Sequence, residues 1–372
     1  MKNKKIAVAG TLCVDSTPGF SESQRVQQIG DLLKPGKLLN IGAMNNSVGG
    51  ALPNTGLALK KFGSDVMLIG KIAKDSYGQI IHDTFEAYGA AEDLIYVEDE
   101  STSYTLVIAP PGIDRIFLHH PGPNASFGYE DLDFDKISQC GHFHFGYPTI
   151  MRKMYQNNGK ETVRIFKKIK ELGLTASLDL SAVEDGSEAS KEDWKQILRD
   201  VMPYVDFFVP SIEELGYMMD KERYCQWNER AAGTDVTMIL DIEKDVKPLA
   251  ETLLSWGAKC ILIKCGAKGM YLRTASSEVM QTIDPQFASW DNLSIFEKSY
   301  VPDRIRSGTG AGDTSIAAFL KSAIDGYPAE RCLQLATAAG ASCITEYDTL
   351  SGLLSFDEMI AKIDGGWKKN EF

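Results

Sequence analysis

The chain has 372 residues, of which 44% are hydrophobic and 24% charged, the mix of a soluble globular protein with room for one large domain or a few average ones. This composition excludes a disordered tail protein, a collagen-like repeat and a disulfide-dense miniature domain. The net charge is −12, relieved only at the short basic ends Lys2–Lys5 and Lys368–Lys369. Nucleic acid and anionic membranes are therefore not expected partners.

At the N-terminus, basic Lys2–Lys5 followed by apolar Ile6–Val14 imitates a signal peptide. The run stops at Asp15 and no small-residue cleavage site follows, so a first strand over Ile6–Ala9 is the better reading. No stretch approaches the roughly 18 apolar residues of a membrane helix. The seven cysteines are scattered and form no C-x-x-C pair, which suits reduced thiols in a cytoplasmic protein.

Residues 16–48 are rich in Gly, Ser and Gln, with weak alternation at Lys37–Ile41. A helix is predicted over Thr55–Phe62, a strand over Val66–Ile69 and a helix over Gly78–Tyr88. Residues 95–120 alternate like strands and turn at Pro110–Asp114. Strands over His142–Phe145, Ala176–Asp179, Phe207–Val209 and Cys260–Lys264 then alternate with amphipathic stretches at Thr162–Glu171, Trp194–Val201 and Asp245–Trp256. The polar and aromatic stretch Ala275–Ser307 matches no pattern, and Thr314–Ile324 and Arg331–Ile344 read as consecutive helices. This order predicts parallel strands joined by crossover helices, an α/β sandwich with both sheet faces covered. The two irregular regions, 16–48 and 95–120, predict a small separate sheet.

Ser307-Gly-Thr-Gly-Ala-Gly-Asp313 opens an apolar helix pattern. Glycines and an alanine leave backbone N–H groups uncovered at the positive end of the helix dipole, which suits a phosphate. An acidic residue in a first turn is also ordinary helix chemistry, but that needs no run of alternating glycines. Gly49-Gly-Ala-Leu-Pro-Asn54 likewise opens a helix, either as a plain turn with Pro53 near its start or as a close ligand approach beside Asn54. Lys264-Cys-Gly-Ala-Lys-Gly269 reads equally as a simple hairpin or as a phosphate-facing turn. No Walker A motif and no dinucleotide fingerprint occurs where a strand meets a helix, which disfavours P-loop enzymes and ordinary Rossmann dehydrogenases. His142 and His144 share a strand face without a third ligand nearby and read as structural.

Taken in order, these motifs make the chain resemble the ribokinase-like (PfkB) carbohydrate kinases. Gly49–Gly63 looks like the first family signature and Gly308–Asp313 like the second. Lys264–Gly269 resembles the nucleotide-side turn, Gly10–Asp15 the opening strand, and Arg115–Asn124 the segment returning from the lid. The resemblance spans residues 5 to about 360. It implies a three-layer α/β/α sandwich, with a core of 1–15, 49–94 and 121–372 and a β lid of 16–48 and 95–120.

The implied activity is ATP- and Mg²⁺-dependent phosphorylation of a hydroxyl on a small sugar. By the resemblance Asp313 is the base, with Gly310, Ala311 and Gly312 as the anion hole. Asp15, Gly49, Gly50, Asn54 and Asn124 hold the sugar. Lys264, Gly266, Gly269 and Thr309 lie along the nucleotide, and Glu214 organises magnesium-bound water. A homodimer through the lid is compatible with the resemblance. Two departures stand out: Ser307 replaces the usual Asp, and Ser211-Ile-Glu-Glu214 replaces an Asn-x-x-Glu motif. A nucleoside kinase of the same fold and a sugar-binding regulator without turnover are the alternative readings.

Overall fold

The computed structural model describes residue 1 and residues 3–371; Lys2, within the basic N-terminal run, lies outside them. In chain order the strands are β1 (Ile6–Gly10), β2 (Cys13–Pro18), β3 (Met44–Gly49), β4 (Val66–Ile69), β5 (Lys71–Ala73), β6 (Ile95–Val97) and β7 (Tyr104–Ile108). They continue as β8 (Ile116–His120), β9 (His142–Gly146), β10 (Thr175–Asp179), β11 (Phe207–Phe208), β12 (Cys260–Lys264), β13 (Gly269–Thr274) and β14 (Ser294–Lys298). The longer helices are α1 (Ala51–Lys61), α2 (Ser76–Ala87), α3 (Arg152–Glu171, interrupted at Gln156–Gly159), α4 (Trp194–Val201) and α5 (Ile212–Met219). After these come α6 (Lys221–Ala231), α7 (Lys247–Ser255), α8 (Ala311–Asp325), α9 (Ala329–Cys343) and α10 (Phe356–Asp364).

Eight strands form one sheet in the order β14-β13-β12-β11-β10-β9-β1-β4. From β12 to β4 all neighbours are parallel, whereas β13 runs antiparallel to both its neighbours, β12 and β14. Every residue of β1, β9 and β10 is buried, as expected for parallel strands covered on both faces. The pleat sends neighbours in β1 to opposite sides. Ala7 and Ala9 belong to the buried cluster on one face that also takes in Phe166 of α3 and Leu253 of α7. Ile6 and Val8 pack with Leu57 of α1, Ala317 of α8 and Leu335 of α9. Each fully buried Ile, Val, Leu or Phe contributes about 1.5–3 kcal/mol, so the two helical layers are held to the sheet by burial on both faces. This is the α/β/α sandwich that the alternating pattern predicts.

A second sheet of four strands, β3-β2-β7-β8, is separate from the first and takes up much of the segments expected to form a lid. It starts at Cys13, so Asp15 stands on a lid strand rather than at the end of the opening strand, a correction that follows from the break after Gly10. No strand forms at Lys37–Ile41, where alternation suggested one; the partner of β2 is Met44–Gly49. Ile95–Val97 pairs with β5 instead of entering the lid. Within Ala275–Ser307 the chain makes short helical turns at Ser277–Met280 and Pro285–Ser289 before β14. Met280, Ile283, Phe287 and Trp290 are buried there at helix-like steps of three and four, but only two short turns form, the second opening at Pro285.

Candidate active site

The carboxyl ends of β9, β10 and β12 open on the N-terminus of α8, the kind of crevice in which open α/β sheets bind ligands. Gly310 caps α8 at φ 75°, in the left-handed region, and a Cβ there would lie 2.4 Å from Thr349 side-chain atoms. Only glycine satisfies both conditions. The first helical amides lack partners one turn back, although Ala311 N–H donates to Gly308 O at 3.4 Å. Lys264 reaches across this turn: a Cβ on Gly312 would come within 3.7 Å of its Nζ.

Asp313 is 2% exposed. Its Oδ2 accepts from Asn54 Nδ2 at 3.0 Å and its Oδ1 from the Tyr147 hydroxyl at 2.8 Å. Asn54 Oδ1 in turn accepts from Thr349 Oγ1 at 3.1 Å. Burial pushes the Asp313 carboxyl above its usual range, opposed by the Lys264 ammonium and by the hydrogen bonds from Tyr147 and Asn54. Such a carboxylate is fixed in orientation and more basic than one in water, both useful in a general base.

Lys264 Nζ bonds Asp179 Oδ1 at 2.7 Å, with side chains 13% and 1% exposed. Burial pulls its pKa down, but Asp179, Glu214 and Asp313 more than compensate and keep the ammonium charged. Three carboxylates thus face one ammonium, and Asp179 Oδ2 is buried without a partner. An excess of anionic oxygens where a triphosphate would arrive fits a hard divalent cation. Among the described residues no group of three or more His, Cys, Asp or Glu side chains is arranged to hold a metal ion by itself. Glu214 stands in the first turn of α5, where Ser211 caps the helix and Glu214 Oε2 accepts from Ser211 N–H at 2.7 Å.

On the lid, Asp15, Ser47, Thr105 and His119 are cross-strand partners in one polar row. Thr105 Oγ1 and His119 Nδ1 are 3.0 Å apart. A Cβ on Gly49 would sit 2.3 Å from Asp15 Oδ2, so the glycine lets that carboxylate stand against the β3–α1 junction. Burial raises the Asp15 pKa, against the pull of Thr105, Cys13 and His119. Gly50 turns the chain into α1 and packs on Thr11, with Ala51 N–H bonding Thr11 Oγ1 at 3.1 Å.

The remaining expected residues have different surroundings. Asn124 is buried and its amide is spent on the chain itself, bonding Leu12 N–H and Leu12 O and the Ser103 hydroxyl. Gly266 and Gly269 flank a 3₁₀ turn that makes β12 and β13 an antiparallel hairpin, with Gly266 against Thr237. Thr309 N–H donates to Ser307 Oγ at 3.2 Å. His142 and His144 are buried against Thr175 and Ser177 hydroxyls, and burial pushes both down to about 3. They are neutral core residues, as read from sequence.

Asp179, Tyr147, Thr349 and His119 were not singled out from sequence. A charged residue closing an apolar strand is a readable signal for Asp179. Tyr147 and Thr349 reach Asp313 and Asn54 from distant chain positions and leave no local trace.

Residues 13–355 match the family model of the pfkB family carbohydrate kinases. The chain belongs to that family and is a kinase of the ribokinase-like fold. An uncharacterized sugar kinase of Archaeoglobus fulgidus is 22% identical over 297 residues, covering 80% of this chain and 98% of that protein. Ribokinase of Arabidopsis thaliana is 22% identical, covering 88% and 74%. Among solved structures, Arabidopsis thaliana ribokinase complexed with ribose and ATP superposes with a TM-score of 0.71 at 18% identity, covering 96% of this chain and 98% of that one. Fructokinase of Xylella fastidiosa with bound ATP gives 0.70 at 16% identity, covering 98% and 99%. No helix among the described residues is long and apolar enough to cross a membrane.

Proposed function

We propose that the protein transfers the γ-phosphoryl group of ATP to a hydroxyl of a small neutral sugar. The observation that carries this reading is the buried Asp313 carboxylate, held by Asn54 and Tyr147 at the glycine-lined start of α8. Asp313 accepts the proton of the attacking alcohol as its oxygen bonds the γ-phosphorus, and the β–γ bridging oxygen leaves with ADP. General bases contribute about 10²–10⁴-fold. The amides of Gly310–Gly312 and the Lys264 ammonium meet charge developing on the transferred group, where positioning and charge stabilisation do most of the work. Magnesium bound with ATP would neutralise phosphate charge, and Glu214 would hold water of its hydration shell.

Asp15 accepts hydroxyls of the sugar, with Thr105 and His119 beside it in the polar row. Gly49 and Gly50 let the sugar approach the backbone, and Asn54 stands between the sugar and the base. Gly266, Gly269 and Thr309 line the nucleotide side. Asn124 supports the sugar site by holding the Leu12 backbone. Tyr104, an aromatic that would favour a nucleoside, stacks on Tyr77 at 5.2 Å and lies near His120. The pleat puts it on the face opposite Asp15 and Thr105, whereas Phe117, 57% exposed, shares the face of Thr105 and His119, so the aromatics favour neither acceptor class. The test is ATP consumption against a panel of neutral sugars, sugar phosphates and nucleosides. Turnover with a neutral sugar is expected; turnover with nucleosides alone would contradict the reading.

A further inference from the structure

Tyr147 follows β9 with φ 65° and ψ 46°, a left-handed conformation that is an outlier for a bulky residue. It also precedes Pro148, whose ring disfavours helix-like ψ in the residue before it. Strain of this kind persists where the surroundings over-determine it, and it clusters at working sites. Here Tyr147 N–H donates to Asp179 O at 3.2 Å, Tyr147 O accepts from Ile150 N–H at 3.3 Å, and the hydroxyl donates to Asp313 Oδ1 at 2.8 Å. The other carboxylate oxygen is taken by Asn54, itself fixed by Thr349. The unusual backbone thus delivers a phenol to the carboxylate from the side opposite Asn54's bond.

We propose that Tyr147 is a positioning residue for the Asp313 base, its phenol and the Asn54 amide gripping the two carboxylate oxygens so that the remaining lone pairs face the acceptor alcohol. This rests on the reading of Asp313 as base. The phenol can only donate here. Burial, with Asp313 and Asp179 beside it, pushes its pKa well up and keeps its proton on. Around Asp313 stand Lys264 from the end of β12, Glu214 from α5, Asp179 from β10 and Cys343 from α9. Of these only the Lys264 cation favours the charged carboxylate, so loss of a neutral donor leaves burial and like charge less opposed.

The test is Tyr147→Phe, which keeps the ring and removes the hydroxyl. Sugar-dependent kcat is expected to fall roughly tenfold or more, as for a lost hydrogen bond to a charged group, while both KM values change less than about threefold. The acidic limb of the kcat profile should move up by roughly half a pH unit or more. A ¹³C-aspartate NMR titration, with Asp313 assigned by its absence in Asp313→Asn, should show the same movement without any turnover. If Tyr147→Phe folds poorly, Tyr147→Asn suits the left-handed backbone with a side chain too short to reach Asp313, and the same two shifts are expected. Absence of sugar-dependent turnover in the unmutated protein would refute the kinase reading on its own. Normal turnover with kcat and the Asp313 titration both unmoved by Tyr147→Phe would overturn the positioning role and leave the kinase reading standing.

Discussion

Asn54 donates to Asp313 across 259 residues of sequence, at 3.0 Å and out of contact with water. That bond joins the first turns of α1 and α8, the helices opened by the two glycine motifs. One motif turns into α1 at Gly50 and the other into α8 at Gly310. The hydrogen bond therefore couples the proposed sugar side to the base.

Asp15 anchors the lid end of this arrangement. Asp15→Ala is expected to raise the sugar KM strongly, because a hydrogen bond to a charged acceptor contributes roughly 1.5–3 kcal/mol. The KM for ATP should hardly change. Steady-state kinetics with each substrate varied in turn checks this, and a collapse of ATP binding with sugar binding intact would put Asp15 on the wrong side of the cleft.

The Lys264–Asp179 pair tests the charge balance. Lys264→Met leaves Asp179 buried and unpaired, which typically costs about 3–5 kcal/mol. Adding Asp179→Asn should recover much of that stability, although ATP binding should stay weak because the ammonium at Gly312 is gone. Denaturant unfolding of the single and double variants measures the difference. Equal loss in both would mean that the lysine stabilises through packing alone.

The sandwich was legible because β1, β9, β10 and β12 are apolar runs of strand length separated by amphipathic helices. The glycine turn that opens α8, with Gly310 at positive φ and Asp313 buried in the first turn, was legible because such a turn is contiguous in sequence. The grip on Asp313 was not. Tyr147 and Thr349 come from chain positions far from α8 and meet it only through folding. The lid boundary was misplaced for a related reason. Gly10 to Asp15 is continuous in sequence, but the chain leaves one sheet after Gly10 and enters another at Cys13.

Asp313 also makes a stability prediction. Its folded pKa lies above the ordinary 3.8, so the folded state binds that proton more tightly than the unfolded chain. Stability from this group is therefore lost as pH rises from 3.8 through the raised value, and the cost remains above it. Asp313→Asn should match or exceed the unmutated protein in Tm at neutral pH, since the amide carries no buried charge and its oxygen can still accept from Tyr147. The advantage should shrink as pH falls toward 3.8. A Tm difference that grows on acidification would have the wrong sign.

The most direct measurement is kcat of Asp313→Asn with the sugar that best supports ATP turnover. Asparagine keeps the size and much of the hydrogen bonding but cannot take the proton of the alcohol. A fall in kcat of at least about 10²-fold, with the sugar KM nearly unchanged, is the expected result. A variant that retains near-normal kcat would remove Asp313 from the chemistry and contradict the account.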